Sequence, residues 1–233
     1  PSLVPSSRQR ELKAAMREPI TISFSGGSAL LLQSNSTRFD EQFQKRVWSL
    51  ANDLNTVDGF TETVPGMNNI LVLFDHDRLP PEEARRQLAE RWSKAQPLPR
   101  RGKTVEIPVV YGGQNGDFKP WARHCGLAPL EAAQRHAAGT YQVAAIGAMP
   151  GFPYLSGLDP ALAIARRSTP RLAVPVGSVI VGGAQAAVMP QTSPSGWHII
   201  GHTNVALFDP HRDEPSTLAP GDIVRFTIED VWL

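Results

Sequence analysis

The spacing of apolar positions changes character part-way along the chain. In "ITISFSGGSALLLQS" two β-rich runs flank Gly26 and Gly27, a pattern that predicts a hairpin. Phe39, Phe43, Val47, Leu50 and Leu54 then recur at spacings of four and three, the stripe of an amphipathic helix, with Ser36 or Thr37 placed to cap it. "GFTETVPGMNNILVLFD" supplies another pair of strands, and "LPPEEARRQLAERWSKA" a second helix that turns Ala84, Leu88 and Trp92 inward. Its opening proline and two glutamates suit the first turn, where the helix dipole is positive. Strand, strand, helix, strand, strand, helix is an α+β layer: an antiparallel sheet with helices on one face.

The second half loses the helical period. "TVEIPVVYGG" reads as a strand, and "DFKPWARHCG" and "APLEAAQRHAAG" as two short helices. From Thr140 onward short β-runs alternate with glycine and proline: "TYQVAAIG", "LAVPVGSVIVGGAQAAVMP", "GWHIIGHT", "VALFD" and "DIVRFTIED". Many short strands with glycine turns imply a barrel or a sandwich. The expected division is an extension over 1–18, an α+β domain over 19–97 and a mainly β domain over 98–233. The basic, proline-punctuated "QPLPRRGK" is the linker, with the boundary near Leu98.

Composition narrows the classes of function. A formal net charge of +1 with 19% charged residues advertises neither a nucleic acid nor an acidic surface as partner. The single cysteine, Cys125, excludes an internal disulfide and fits a reducing, cytoplasmic compartment. No apolar run approaches a membrane span and no signal peptide is visible. Familiar catalytic motifs fail in turn. His198 and His202 have the spacing of a zinc helix, yet "GWHIIGHT" reads as a strand, where they stand ~13 Å apart at ~3.3 Å per residue, so no metal site is expected. "TSPSGWH" lacks a nucleophile elbow, and "GGQNGDFK" lacks the spacing and terminal Lys-Ser/Thr of a phosphate loop.

What remains is one dense region, Tyr141 to Gly201. "MPGFPYLSGL" within it is uncharged and reads as a loop, an unusual composition for backbone that runs over a surface. Arg171, between Pro170 and an apolar run, is placed to clamp a carboxylate or phosphate-like group, or else to pin its own loop. Gln185 follows Gly182 and Gly183, where backbone approaches a ligand closely and an amide reads a lactam or urea group; its alternative is to satisfy buried backbone. Tyr154 and Phe152 make an apolar wall with one hydroxyl, unless Phe152 is core. His136 is the acid–base candidate. Arg171 and Gln185 complete the catalytic set, while Tyr154, Ser178, Gly182 and Gly183 are the substrate-binding candidates. Phe152 and Tyr154 are also candidates for partner binding, since interface cores are poor in charge and rich in aromatics.

"GAMPGFPYLSGLDP", "STPRLAVPVGSVIVGGAQ" and "SPSGWHIIGHT" resemble the shared core of the KipI / PxpB family, whose members are also called allophanate hydrolase subunit 1 or the B subunit of 5-oxoprolinase. The resemblance implies a cyclophilin-like β-barrel for the second half and a partner, a KipA/PxpC-like subunit (allophanate hydrolase subunit 2-like), in a carboxyltransferase-like assembly. It further implies a third, PxpA-like subunit and ATP-driven opening of 5-oxoproline to glutamate, with ATP and Mg²⁺ bound largely by the partners. The chain alone is then expected to be inactive. The same resemblance admits an allophanate hydrolase or urea carboxylase-type subunit acting on a urea-type substrate, or a KipI-like inhibitor of a histidine kinase. "IGH" stands where relatives commonly carry "IGR", so His202 replaces a permanent charge with a mostly neutral one.

Overall fold

A computed structural model describes residues 20–36, 38–97, 102–113 and 116–233. The chain divides into two compact units between Pro99 and Arg100. The expected extension over 1–18, the boundary at Leu98 and the alternative cap Thr37 lie outside the described residues.

The first unit is built on β1 (Ile20–Phe24), β2 (Ala29–Ser34), β3 (Phe60–Gly66) and β4 (Asn69–Phe74), an antiparallel sheet in the order β1-β2-β4-β3. Alternation along β2 and β4 sends Leu30, Leu32, Ile70, Val72 and Phe74 to one face. Helices α1 (Glu41–Leu54) and α2 (Pro81–Lys94) cover it with Phe43, Val47, Leu50, Leu54, Ala84, Leu88 and Trp92. The cap of α1 differs from expectation. Asp40, not Ser36, accepts from the Phe43 N–H at 2.9 Å, so the helix starts later and Phe39 lies outside it.

The second unit is a closed barrel of β5 (Thr104–Gly112), β6 (Tyr141–Ile146), β7 (Pro153–Ser156), β9 (Ser178–Gly182), β10 (Gln185–Val188), β12 (His198–His202) and β13 (Ile223–Trp232). Helices α3 (Phe118–His124) and α4 (Pro129–Ala137) follow β5. Neighbouring strands are antiparallel except β13 and β5, which run parallel. Two strands stand apart as a separate ribbon, β8 (Arg171–Val174) paired with β11 (Ser193–Ser195).

Two sequence expectations change here. The run "VALFD" forms no strand; Phe208 makes only an isolated bridge to Ser216. The uncharged "MPGFPYLSGL" is only half a loop. Its turn over 147–152 is closed by the Gly147 N–H donating to the Phe152 carbonyl, and its second half is β7, paired with β6 and β10. Pro153 is tolerated because it occupies the first strand position.

Alternation along the barrel strands produces two cores. Val179, Val181, Ala186, Val188 and Ile200 point inward, whereas Ile180 and Ala187 point outward. The outer cluster is closed by Val174 of β8 with Phe152, Met189 and Trp197. The ribbon and the 147–152 turn are therefore held to the barrel wall by apolar contact.

Candidate active site

The outer cluster contains a group of three aromatic rings. Phe152 and Tyr154 meet edge to face at 5.0 Å between centroids, and Trp197 meets them at 6.0 and 6.3 Å. Gly182 makes this possible, because a Cβ there would stand 2.6 Å from the Trp197 ring. Across the β9–β10 hairpin Gly182 pairs with Gln185, and Ala186 pairs with Leu155 beside Tyr154. Tyr154, Gly182 and Gln185 thus come together with Trp197 on the outer face of the barrel. Ser178 is buried on the same face of β9, but at its far end, ~13 Å from Gly182 at ~3.3 Å per residue. The Gly183 N–H and carbonyl are both bonded to Ile164, at 2.7 and 3.1 Å, so its backbone is committed within the chain.

Arg171 sits at the margin of this group and its fork is filled. Its Nη1 and Nη2 donate to the two oxygens of Asp117 at 2.6 and 2.9 Å. Arg167 Nη1 donates to the same carboxylate at 2.9 Å, and the Ile199 N–H at 3.0 Å. The Asp117 N–H returns to the Ile199 carbonyl at 2.6 Å. One buried carboxylate therefore ties the 165–171 strap, the ribbon and β12 together. Burial opposes its ionisation, but bonds from Arg171 and Ile199 and the two guanidinium charges outweigh that and hold its carboxyl below the usual range. The expected ligand clamp is occupied by an internal partner, and Arg171 acts on any ligand face through Asp117.

Two further expectations are corrected by burial. His136 is 0% exposed in the inner core, between Tyr111, Trp121, Tyr141 and Phe226. Its Nδ1 lies 2.7 Å from the Tyr111 hydroxyl and its Nε2 is enclosed without a hydrogen-bond partner among the described residues. A group sealed from solvent cannot exchange protons with a bound ligand, so the acid–base role does not fit this placement. Phe152 is 5% exposed, spent on Tyr154 and Trp197, which leaves it little surface for a partner subunit. The uncharged character of its turn is explained by this internal packing.

Burial pushes the His136 imidazole down to about 3. A folded value below the unfolded one means stability that is complete above the unfolded value of ~6.5 and is lost as pH falls toward the folded value. The barrel unit is expected to lose up to about 1.4 kcal/mol per pH unit from ~6.5 downward. Urea titrations across that range should show the slope flattened in His136→Phe.

Sequence reading missed Asp117, Arg167 and Trp197. The arginines of "ARRSTPR" were the available signal, three cations in six residues of a weakly charged region. Nothing local pointed to Asp117, which lies 54 positions from Arg171.

The family described as carboxyltransferase domain, subdomain C and D, matches residues 20–218. The 5-oxoprolinase B subunit of Escherichia coli O157:H7 is 45% identical over 184 residues, which is 78% of this chain and 84% of that protein. The chain belongs to the KipI / PxpB family. The corresponding 5-oxoprolinase protein of Haemophilus influenzae is 40% identical, covering 82% of this chain and 90% of that one, and that of Bacillus subtilis is 34% identical, covering 86% and 89%. The crystal structure of TTHA0988 matches with a TM-score of 0.74 at 33% identity, over 87% of this chain. The chain spans 40% of that solved polypeptide. The Kluyveromyces lactis urea carboxylase matches with a TM-score of 0.79 at 18% identity over 91% of this chain and 22% of that one, which shows a common fold.

Proposed function

We propose that the chain is the PxpB-type component of an ATP-dependent 5-oxoprolinase, converting 5-oxoproline to glutamate together with a KipA/PxpC-like partner and a PxpA-like subunit in the cytoplasm. The observation that carries this is the agreement of three relatives, 34–45% identical and covered over 84–90% of their length, each of them a 5-oxoprolinase B subunit. In this reading the ligand face is the outer wall of the barrel at Tyr154, Gly182, Gln185 and Trp197. Arg171 and Asp117 fix the strap beside it. ATP and Mg²⁺ belong to the assembly, held largely by the partner subunits, and no step on this chain is assigned to them.

Co-expressing the three subunits and omitting each in turn tests the reading. The complete set should release glutamate from 5-oxoproline only with ATP, and this chain alone should release none. An inactive complete set, or turnover by this chain alone, overturns it.

A further inference from the structure

The cation facing the outer wall is a different arginine from the one the sequence singled out. Arg167 and Arg171 both donate to Asp117. Arg166, next to them on the strap, is exposed and makes no hydrogen bond or ion pair among the described residues. Its guanidinium carbon lies 5.7 Å from the centre of the Trp197 ring. The ring of Tyr154 lies 6.3 Å from the same indole, and the Tyr154 hydroxyl also has no hydrogen-bond partner among the described residues. Two uncommitted donors, one charged and one neutral, therefore flank a single aromatic ring. The indole is 5% exposed and fixed by Phe152, and the strap carrying Arg166 is anchored on both sides. One anchor is the Ile164–Gly183 bridge; the other is the Arg167 N–H bond to the Gly196 carbonyl at 2.7 Å.

We propose that Arg166 and Tyr154, set about Trp197, form a subsite for a small carboxylate that carries a neutral polar ring. Arg166 pairs with the carboxylate, and the Tyr154 hydroxyl meets the amide edge of the ring. Local charge favours an anion, because Asp117 neutralises only one of the two guanidiniums it holds and Arg166 adds another. The proposal deepens the reading above and rests on it for the identity of the ligand, 5-oxoproline.

The test uses the assembled complex. Equilibrium dialysis with radiolabelled 5-oxoproline should show about 10- to 100-fold weaker binding for Arg166→Gln than for wild type, as expected for loss of a charge-assisted bond. Arg166→Lys should recover part of it. In turnover assays Arg166→Gln should raise KM by a similar factor while kcat changes little. Competition by 2-pyrrolidinone, which has the lactam but no carboxylate, should be the same for wild type and Arg166→Gln. Unchanged 5-oxoproline binding in Arg166→Gln overturns the subsite while leaving the proposed function intact. A wild-type complex that binds 5-oxoproline through Arg166 but turns none over overturns the proposed function and keeps the subsite. Absence of binding to the wild-type complex overturns both.

Discussion

Replacing Asp117 with alanine is expected to destabilise the barrel unit by about 3 kcal/mol, because it leaves two neighbouring guanidiniums without their shared counter-charge. The carboxylate is 7% exposed and receives four hydrogen bonds, three from arginine and one from the β12 backbone. Arg167 and Arg171 keep 32% and 24% of their side chains in water, which tempers the cost relative to a fully buried pair. The loss should appear as a shift of the urea midpoint at pH 7. Asp117→Asn should show most of it, since the amide fills the same space without the charge. The folded carboxyl titrates below its unfolded value, so its contribution is complete above ~3.9 and disappears as pH falls through the folded value. Wild type and Asp117→Asn should therefore converge in acid. A difference that persists undiminished once the folded carboxyl is protonated would place the effect in packing instead of charge. In the assembled enzyme, Arg171→Ala should also cost well over tenfold in turnover, through the released strap.

The second large effect is expected at Gly182. An alanine Cβ there would sit 2.6 to 2.9 Å from three atoms of the Trp197 ring. That ring is packed against Phe152 and Tyr154. Overpacking of this kind costs about 1–3 kcal/mol, so Gly182→Ala should still fold. Its larger consequence is expected at the proposed ligand face, where displacing the ring beside Arg166 and Tyr154 by ~1 Å is worth on the order of 100-fold in rate. The measurements are turnover in the reconstituted complex and the near-ultraviolet dichroism of the aromatic group. A variant with normal turnover and an altered aromatic signal would separate the cluster from the reaction.

These residues also show which properties were legible without coordinates. Periodicity alone assigned α1, α2, the hairpins of the first unit and most barrel strands, since alternation and helical stripes follow from which side of an element must leave water. Proline and glycine misled at "MPGFPYLSGL", because their cost depends on strand position, and Pro153 takes the one place where a missing N–H is tolerated. Glycine again misled at Gly182 and Gly183. The sequence marks both positions, but not that Trp197 fills the space at Gly182 and that Ile164 takes both backbone bonds of Gly183.

Charge partners were the least legible. Its place between Pro170 and an apolar run made Arg171 conspicuous, and a fork of donors there does demand an acceptor. That the acceptor is Asp117 depends on the chain closing across 54 positions, and only that closure leaves Arg166 as the strap arginine not bonded to it. His136 illustrates the same limit from the opposite side. A histidine in the last turn of a short helix looks available for chemistry until the barrel closes over it. The sequence by itself determined most of the elements and the family. The tertiary structure decided which polar groups are spent on one another, because a hydrogen bond between distant residues leaves no periodic trace in the chain.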